Sequence, residues 1–205
     1  SKGIKYIMRR ILKIAKAELF TLFYSPVAWL ILVAFTVQVG LKFTGLMADF
    51  VYREDMGFGN GFLTANLLGG MFGLYNTVQQ YLYLYMPLLT MGLMSREFSS
   101  GSIKLLYSSP VTSSQIVMGK FLAMMAYGLV LLGTLILYIG YAACVVDNFA
   151  FAEALSGLLG LYLLLCAYAA IGLFVSCLTS YQVVAAIGTL IILAVLNYMN
   201  QVWQD

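Results

Sequence analysis

Polar positions in this 205-residue chain are gathered into a few short stretches, with long apolar runs between them. Hydropathy predicts five spans, at residues 26–48, 72–94, 114–144, 155–177 and 182–201, each reaching the roughly 20 residues a helix needs to cross the hydrocarbon layer. Stretches such as "GTLIILAVL" (188–196) do not alternate in polarity, which excludes the dyad pattern of a membrane barrel. Ser25-Pro26 opens the first span with a cap residue followed by proline, and Thr112–Gln115 ("TSSQ") opens the third with a capping-box pattern. The fourth and fifth spans are joined only by "LTSY", so they are expected to form a tight antiparallel hairpin.

The segment before the first span has a different period. Ile4, Ile7, Ile11, Ala15, Leu19 and Leu22 recur at steps of three and four, and Lys2, Lys5, Arg9, Lys13 and Lys16 do the same on another face. This double stripe predicts an amphipathic helix over residues 1–23, lying in the membrane interface with its cations near anionic headgroups.

Composition narrows the class. Charged residues make up 9% of the chain and hydrophobic residues 62%, with mean hydropathy +0.93, against about 25% charged in soluble domains. The predicted fold class is therefore all-α, a polytopic transmembrane helical bundle. There is no histidine, and Cys144, Cys166 and Cys177 form no metal-binding spacing, so no catalytic, cofactor or metal site is expected in this chain. No phosphate-cradling "GxxxxGK[ST]" loop occurs; "VMGK" (117–120) lacks the earlier glycine. Energy from ATP would have to come from another subunit.

Basic residues set the expected orientation. Lys2, Lys5, Arg9, Arg10, Lys13 and Lys16 precede the first span, and Arg96, Lys104 and Lys120 lie in or beside the stretch after the second. Lys42 and Arg53 fall on the opposite side, with Asp49, Glu54, Asp55, Asp147, Glu153 and Asp205. The positive-inside rule then predicts a cytoplasmic N-terminus. Ionisable residues are otherwise missing from the middle of the spans, and Lys42 is close enough to the outer face to snorkel, which speaks against an ion-coupled carrier.

Two polar stripes inside the spans admit two readings. Asn76, Gln79, Gln80 and Tyr83 share a face of the second span, and Tyr127, Leu131, Thr134, Tyr138 and Tyr141 follow a heptad-like spacing in the third. Either they line a substrate path or dimer seam, or they make interhelical hydrogen bonds and part of the aromatic belt; the second reading is preferred. Ala169, Gly172 and Ser176, and likewise Ala185 and Thr189, form small-residue ridges for close helix packing.

The stretch "SREFSSGSIKLLYSSPVTSSQIVMGKFL" (95–122) interrupts the lipid-like pattern. Ile103, Leu106 and Tyr107 share one helical face, Gly101 interrupts the segment, and Ser109-Pro110 ends it. It predicts a short cytoplasmic helix within 95–112, tied to the spans on both sides and suited to receive force from a soluble partner. Its residues Arg96-Glu97, Gly101-Ser102-Ile103, Leu105-Leu106, Pro110-Val111, Ile116 and Gly119-Lys120 resemble the "RE…GT(I/L)E.LL..PV…I..GK" motif of ABC-2-type ABC transporter permeases. Residues 169–189 ("AAIGLFVSCLTSYQVVAAIGT") are similar to the fourth-to-fifth-span hairpin of the gliding-motility-type (GldF-like) branch, with the copper-processing (NosY-like) permeases as neighbours. Lys104 stands where that family often has Glu.

The resemblance implies a permease subunit that forms a homo- or heterodimer and docks on a cytoplasmic ABC ATPase, which binds the ATP and Mg. Its matching residues Arg96, Glu97, Gly101, Ile103, Leu106 and Pro110 would form the ATPase-coupling element. It also implies export or force transmission across a bacterial inner membrane, with the lipid membrane and an extracytoplasmic accessory protein as partners and no role for nucleic acid. A non-transporting scaffold that anchors an ATPase or an extracytoplasmic assembly is the alternative. The family has six spans, so the natural gene is expected to continue past Asp205 to a further span.

Overall fold

The computed structural model describes residues 2–55, 68, 73–102, 111–146 and 149–204. Those residues build α1 (Lys2–Tyr24), α2 (Pro26–Asp55), α3 (Leu74–Thr90), α4 (Ser95–Ser100), α5 (Ser113–Val145), α6 (Phe151–Leu178) and α7 (Gln182–Gln204), with no strand among them. Proline starts α2 where its missing N–H is harmless, and the Ser25 N–H donates to Leu22 O at 3.0 Å to close α1.

By length and composition, four described helices can cross a membrane: Pro26–Tyr52, Ser113–Val145, Phe151–Leu178 and Gln182–Met199. Their outward rows are apolar, including Leu30, Leu41, Leu137, Leu159, Leu163 and Ile191, the chemistry of a lipid-facing surface. The helix within the second predicted span differs. α3 has 17 residues, about 26 Å of rise, which falls short of the roughly 30 Å hydrocarbon thickness. It contains Pro87 and stops at Thr90, and the chain turns through Met91–Met94 instead of continuing to residue 94. Asn76, Thr77, Gln79 and Gln80 also lower its hydropathy.

The chain divides into two compact units. The first comprises Ser1–Ala28, Tyr83–Tyr127 and Leu165–Asp205, and the second Trp29–Leu82 and Gly128–Leu164. Their boundaries fall inside α2, α3, α5 and α6.

In the first unit α1 lies so close to α5 that a Cβ on Gly119 would sit 2.5 Å from Ile14 Cγ2. Gly172 of α6 gives the same clearance to Thr90 of α3. Ala123, Met124, Ala169, Leu173 and Ala185 are buried around these contacts. The predicted apolar stripe of α1 is divided by this packing. Ala15 is buried and Ile7 exposed, while a separate row of Met8, Leu12, Lys16, Phe20 and Tyr24 is exposed at four-residue steps, interrupted by that lysine and lying beside exposed Lys5, Arg9 and Lys13. The amphipathic helix forms, and part of its apolar face is spent on protein contact.

In the second unit the Tyr138 hydroxyl donates to Thr36 O at 3.3 Å and lies against Gly40, with the Phe43 ring 5.3 Å away. The Tyr75 hydroxyl donates to Ala154 O at 2.6 Å, and its ring fills the space over Gly157. Phe35, Val39, Leu131, Leu135 and Ala142 form the buried centre.

Candidate functional site: the α3–α4 junction

The break after α3 is organised by a serine on another helix. Met94 and Ser95 open α4, and Met94 supplies no side-chain cap. Ser176 of α6 takes that role: its Oγ accepts from the Met94 N–H at 3.0 Å and the Ser95 N–H at 3.1 Å, and donates to Met91 O at 3.0 Å. The Ser95 hydroxyl also donates to Met91 O, and the Thr90 hydroxyl donates to Met86 O at 2.8 Å. First-turn N–H groups have no partner within their own helix. A hydroxyl buried at 0% exposure on α6 therefore locks the chain where it changes direction.

Charge ties the same segment to two further helices. Lys120 of α5 is 2% exposed. Its Nζ lies 2.7 Å from Glu97 Oε1 on α4 and 3.0 Å from Glu18 Oε2 on α1. Glu97 Oε2 is buried without a hydrogen-bond partner. One cation thus serves two carboxylates inside the protein, and removing it would leave both uncompensated. At the other end of α4, Gly101 adopts φ +70° and its N–H donates to Phe98 O at 3.3 Å. This left-handed residue stops the helix, as glycine readily does.

The arrangement has no nucleophile–base pair. It can transmit: α4 cannot shift without disturbing α1, α5 and α6 through Glu18, Lys120 and Ser176. The family model for "ABC-2 family transporter protein" matches residues 12–203, taking in α4, α5 and α6 whole and α1 from residue 12 onward. The chain belongs to the ABC-2 transporter family. It is a multi-pass membrane protein, the transmembrane permease component of an ABC transporter rather than its ATPase. No curated protein and no solved structure matches it.

Within this ABC-2 permease the predicted coupling residues take different positions. Arg96 is exposed, and its guanidinium packs back over Gly92. Glu97 points inward to Lys120, so it is an internal link and not part of an outer docking face. Gly101 ends α4, so the helix predicted within 95–112 is not continuous through it. Ile103, Leu106 and Pro110 lie outside the described residues, as do Lys104, Leu105, Tyr107 and Ser109.

The path-or-seam residues are not brought together as one site. Asn76 and Gln79 are half-buried and Gln80 exposed on the part of α3 in the second unit, while half-buried Tyr83 belongs to the first. The α5 stripe packs helices. Tyr127 donates to Ala28 O at 2.6 Å, Thr134 donates to Leu131 O at 2.7 Å, and Tyr141 meets Phe43 edge-on at 6.1 Å.

Sequence reasoning missed three residues of the junction: Glu18, which it did not single out, Lys120 and Ser176. Lys120 reads as one more cation beside a basic loop, and Ser176 as one more small residue in a packing ridge. The available signal for Lys120 was its place as the eighth residue of a helix that continues as an apolar span, where a lysine drawn inward needs a partner. For Ser176 no sequence signal distinguishes a cap from a ridge.

Proposed function

We propose that α4 and the segment following it receive the movement of a cytoplasmic ABC ATPase, and that the chain thereby couples ATP hydrolysis to export or force transmission. The observation that carries this reading is the wiring of α4: Lys120 bridges Glu97 to Glu18, and Ser176 holds the α3–α4 turn. A segment that only connected two spans would need neither a buried cation nor a cap borrowed from α6. The ATPase subunit would supply ATP and Mg binding, and two permease subunits, identical or different, would complete the assembly. The concentration of Lys and Arg in α1 and around α4 supports an N-terminus on the cytoplasmic side. Motif likeness in 95–120 and 169–189 favours the gliding-motility-type and copper-processing-type branch in a bacterial inner membrane.

The test is reconstitution with the cognate ATPase. Glu97→Gln is expected to lower complex-dependent ATPase stimulation while membrane insertion and assembly persist. Stimulation equal to wild type in both Glu97→Gln and Gly101→Pro would reject the coupling role. ATP-driven movement of a solute or of an attached load separates a permease from a scaffold that only anchors the ATPase.

A further inference from the structure

The first unit also contains a cavity of about 110 Å³, lined by Glu18, Ser25, Arg96 and Gln182 and by an apolar wall that includes Leu22 and Leu88. One water needs on the order of 10–15 Å³ of such space, so a group the size of a phosphate fits, with the rest of its molecule outside.

Depth in the membrane narrows the occupant. Ser25 immediately precedes Pro26, and Gln182 is the first residue of α7. Both mark ends of candidate spans, the level at which hydrocarbon gives way to lipid headgroups.

Charge narrows it further. Arg96 makes no ion pair among the described residues. Glu18 uses Oε2 for Lys120, and it does not pair with Arg96. The cavity therefore holds a cation with no ion pair among the described residues and a carboxylate that shares Lys120 with Glu97, and the two do not pair with each other. A simple anion would meet Glu18, and a simple cation would meet Arg96. An occupant with both charges meets both: guanidinium binds phosphate oxygens through its paired N–H groups, and a primary ammonium offers three donors to a carboxylate.

We propose that this cavity binds the headgroup of a zwitterionic phospholipid bearing a primary ammonium, of the phosphatidylethanolamine class. Its phosphate sits on Arg96, its ammonium faces Glu18, and its glycerol end runs along Leu22 and Leu88. A bound lipid there would touch α1 and α4 together, so its presence would set how firmly the two are joined.

The experiment is native mass spectrometry of the full-length protein in detergent, titrated with short-chain phosphatidylethanolamine, phosphatidylcholine or phosphatidylglycerol. Phosphatidylethanolamine is expected to bind about tenfold or more tightly than either rival, as one charge-assisted hydrogen bond predicts. Arg96→Gln, at an exposed position, should remove that preference, and Leu88→Trp, which fills the cavity, should remove the bound lipid. Equal binding of phosphatidylglycerol would overturn the zwitterionic assignment, and equal binding of phosphatidylcholine would remove the role of Glu18. Displacement by millimolar inorganic phosphate would make this a soluble-anion site. Unchanged lipid binding in both variants, each with a wild-type melting profile, would reduce the bound lipid to the general annulus. None of these readouts requires the ATPase, so their failure leaves the coupling reading standing.

Discussion

The two units of this permease share tyrosine–carbonyl contacts and glycine clearances, and the first adds buried charge to them. In the second, Tyr75 and Tyr138 send hydroxyls to backbone carbonyls across the helix contact, and their rings fill the space over Gly157 and Gly40. In the first, Tyr127 does the same to Ala28 O, and glycine clearances at Gly119 and Gly172 are joined by a buried lysine shared between Glu18 and Glu97 and by a serine that caps another helix. Lipid tails are as apolar as leucine, so helices in a membrane gain little by hiding apolar surface from one another; close approach and hydrogen bonds join them instead. Tyrosine–carbonyl contacts do this with neutral groups. A buried ion triad is a poor way to add stability, because desolvation offsets much of the attraction. It lies where the chain breaks between α3 and α4, which agrees with the proposal that helix positions in that unit matter to coupling.

Removing the shared cation should break this contrast most severely. Lys120→Met leaves two partly buried carboxylates unpaired and is expected to lower stability by about 3–5 kcal/mol, read by thermal unfolding in detergent. Adding Glu18→Gln and Glu97→Gln to the same protein should restore most of the stability. ATPase coupling should stay low in the triple variant. If coupling returns with stability, the triad is packing and the two units are alike.

Glycine substitution probes the feature both units share. Gly172→Val would strike Thr90 and Gly157→Val would strike Tyr75, each expected to destabilise by about 1–3 kcal/mol through overpacking. Coupling measured at a temperature where both variants remain folded should fall for Gly172→Val and hold for Gly157→Val. An equal loss would remove the distinction between the units.

Ser176→Ala sharpens it from the other direction. Two N–H groups lose their acceptor, an expected loss of about 1–3 kcal/mol. The effect should be local, with faster hydrogen exchange at Met94 and Ser95 while exchange around Tyr138 is unchanged. Uniform acceleration throughout the chain would show that Ser176 supports the fold generally and not the junction.

Smaller effects are expected from the tyrosines. Tyr127→Phe and Tyr138→Phe each remove one interhelical hydrogen bond, worth about 0.6–1.7 kcal/mol in membrane proteins, and turnover should persist in both. Smallest of all, Gln80→Leu at an exposed position should change stability by no more than about 0.5 kcal/mol. Retained turnover in that variant would withdraw Gln80 from the path or dimer seam, and a selective loss of turnover would keep it there.

Much of the architecture was legible from pattern because the bilayer imposes it. Long apolar runs must be helical where water cannot satisfy the backbone, so α2, α5, α6 and α7 follow from hydropathy, and Pro26 marks its helix start to the residue. The interruption at 95–102 was visible as polarity, and Gly101 as a helix stop. The inward turn of Glu97 was not legible, since an acid in the first turn of a surface helix usually faces water and favours the helix dipole there. Nor was the end of α3 at Thr90, because Met91–Met94 ("MGLM") reads as a continuation of the apolar run.

By itself the sequence determined that this is a helical membrane protein, where most of its spans begin, and that α1 has two unlike faces. These are properties of single segments in a solvent, set by transfer energies and backbone hydrogen bonding. Only the tertiary structure decided that Lys120 is a buried link between Glu18 and Glu97, that Ser176 caps a helix distant in sequence, and that Arg96 and Glu18 line one cavity. Those facts depend on which residues of different helices meet, Ser176 with Met94 across 82 positions of chain and Lys120 with Glu18 across 102. Segment periodicity shows which face of a helix seeks a partner and carries no information about which partner it finds.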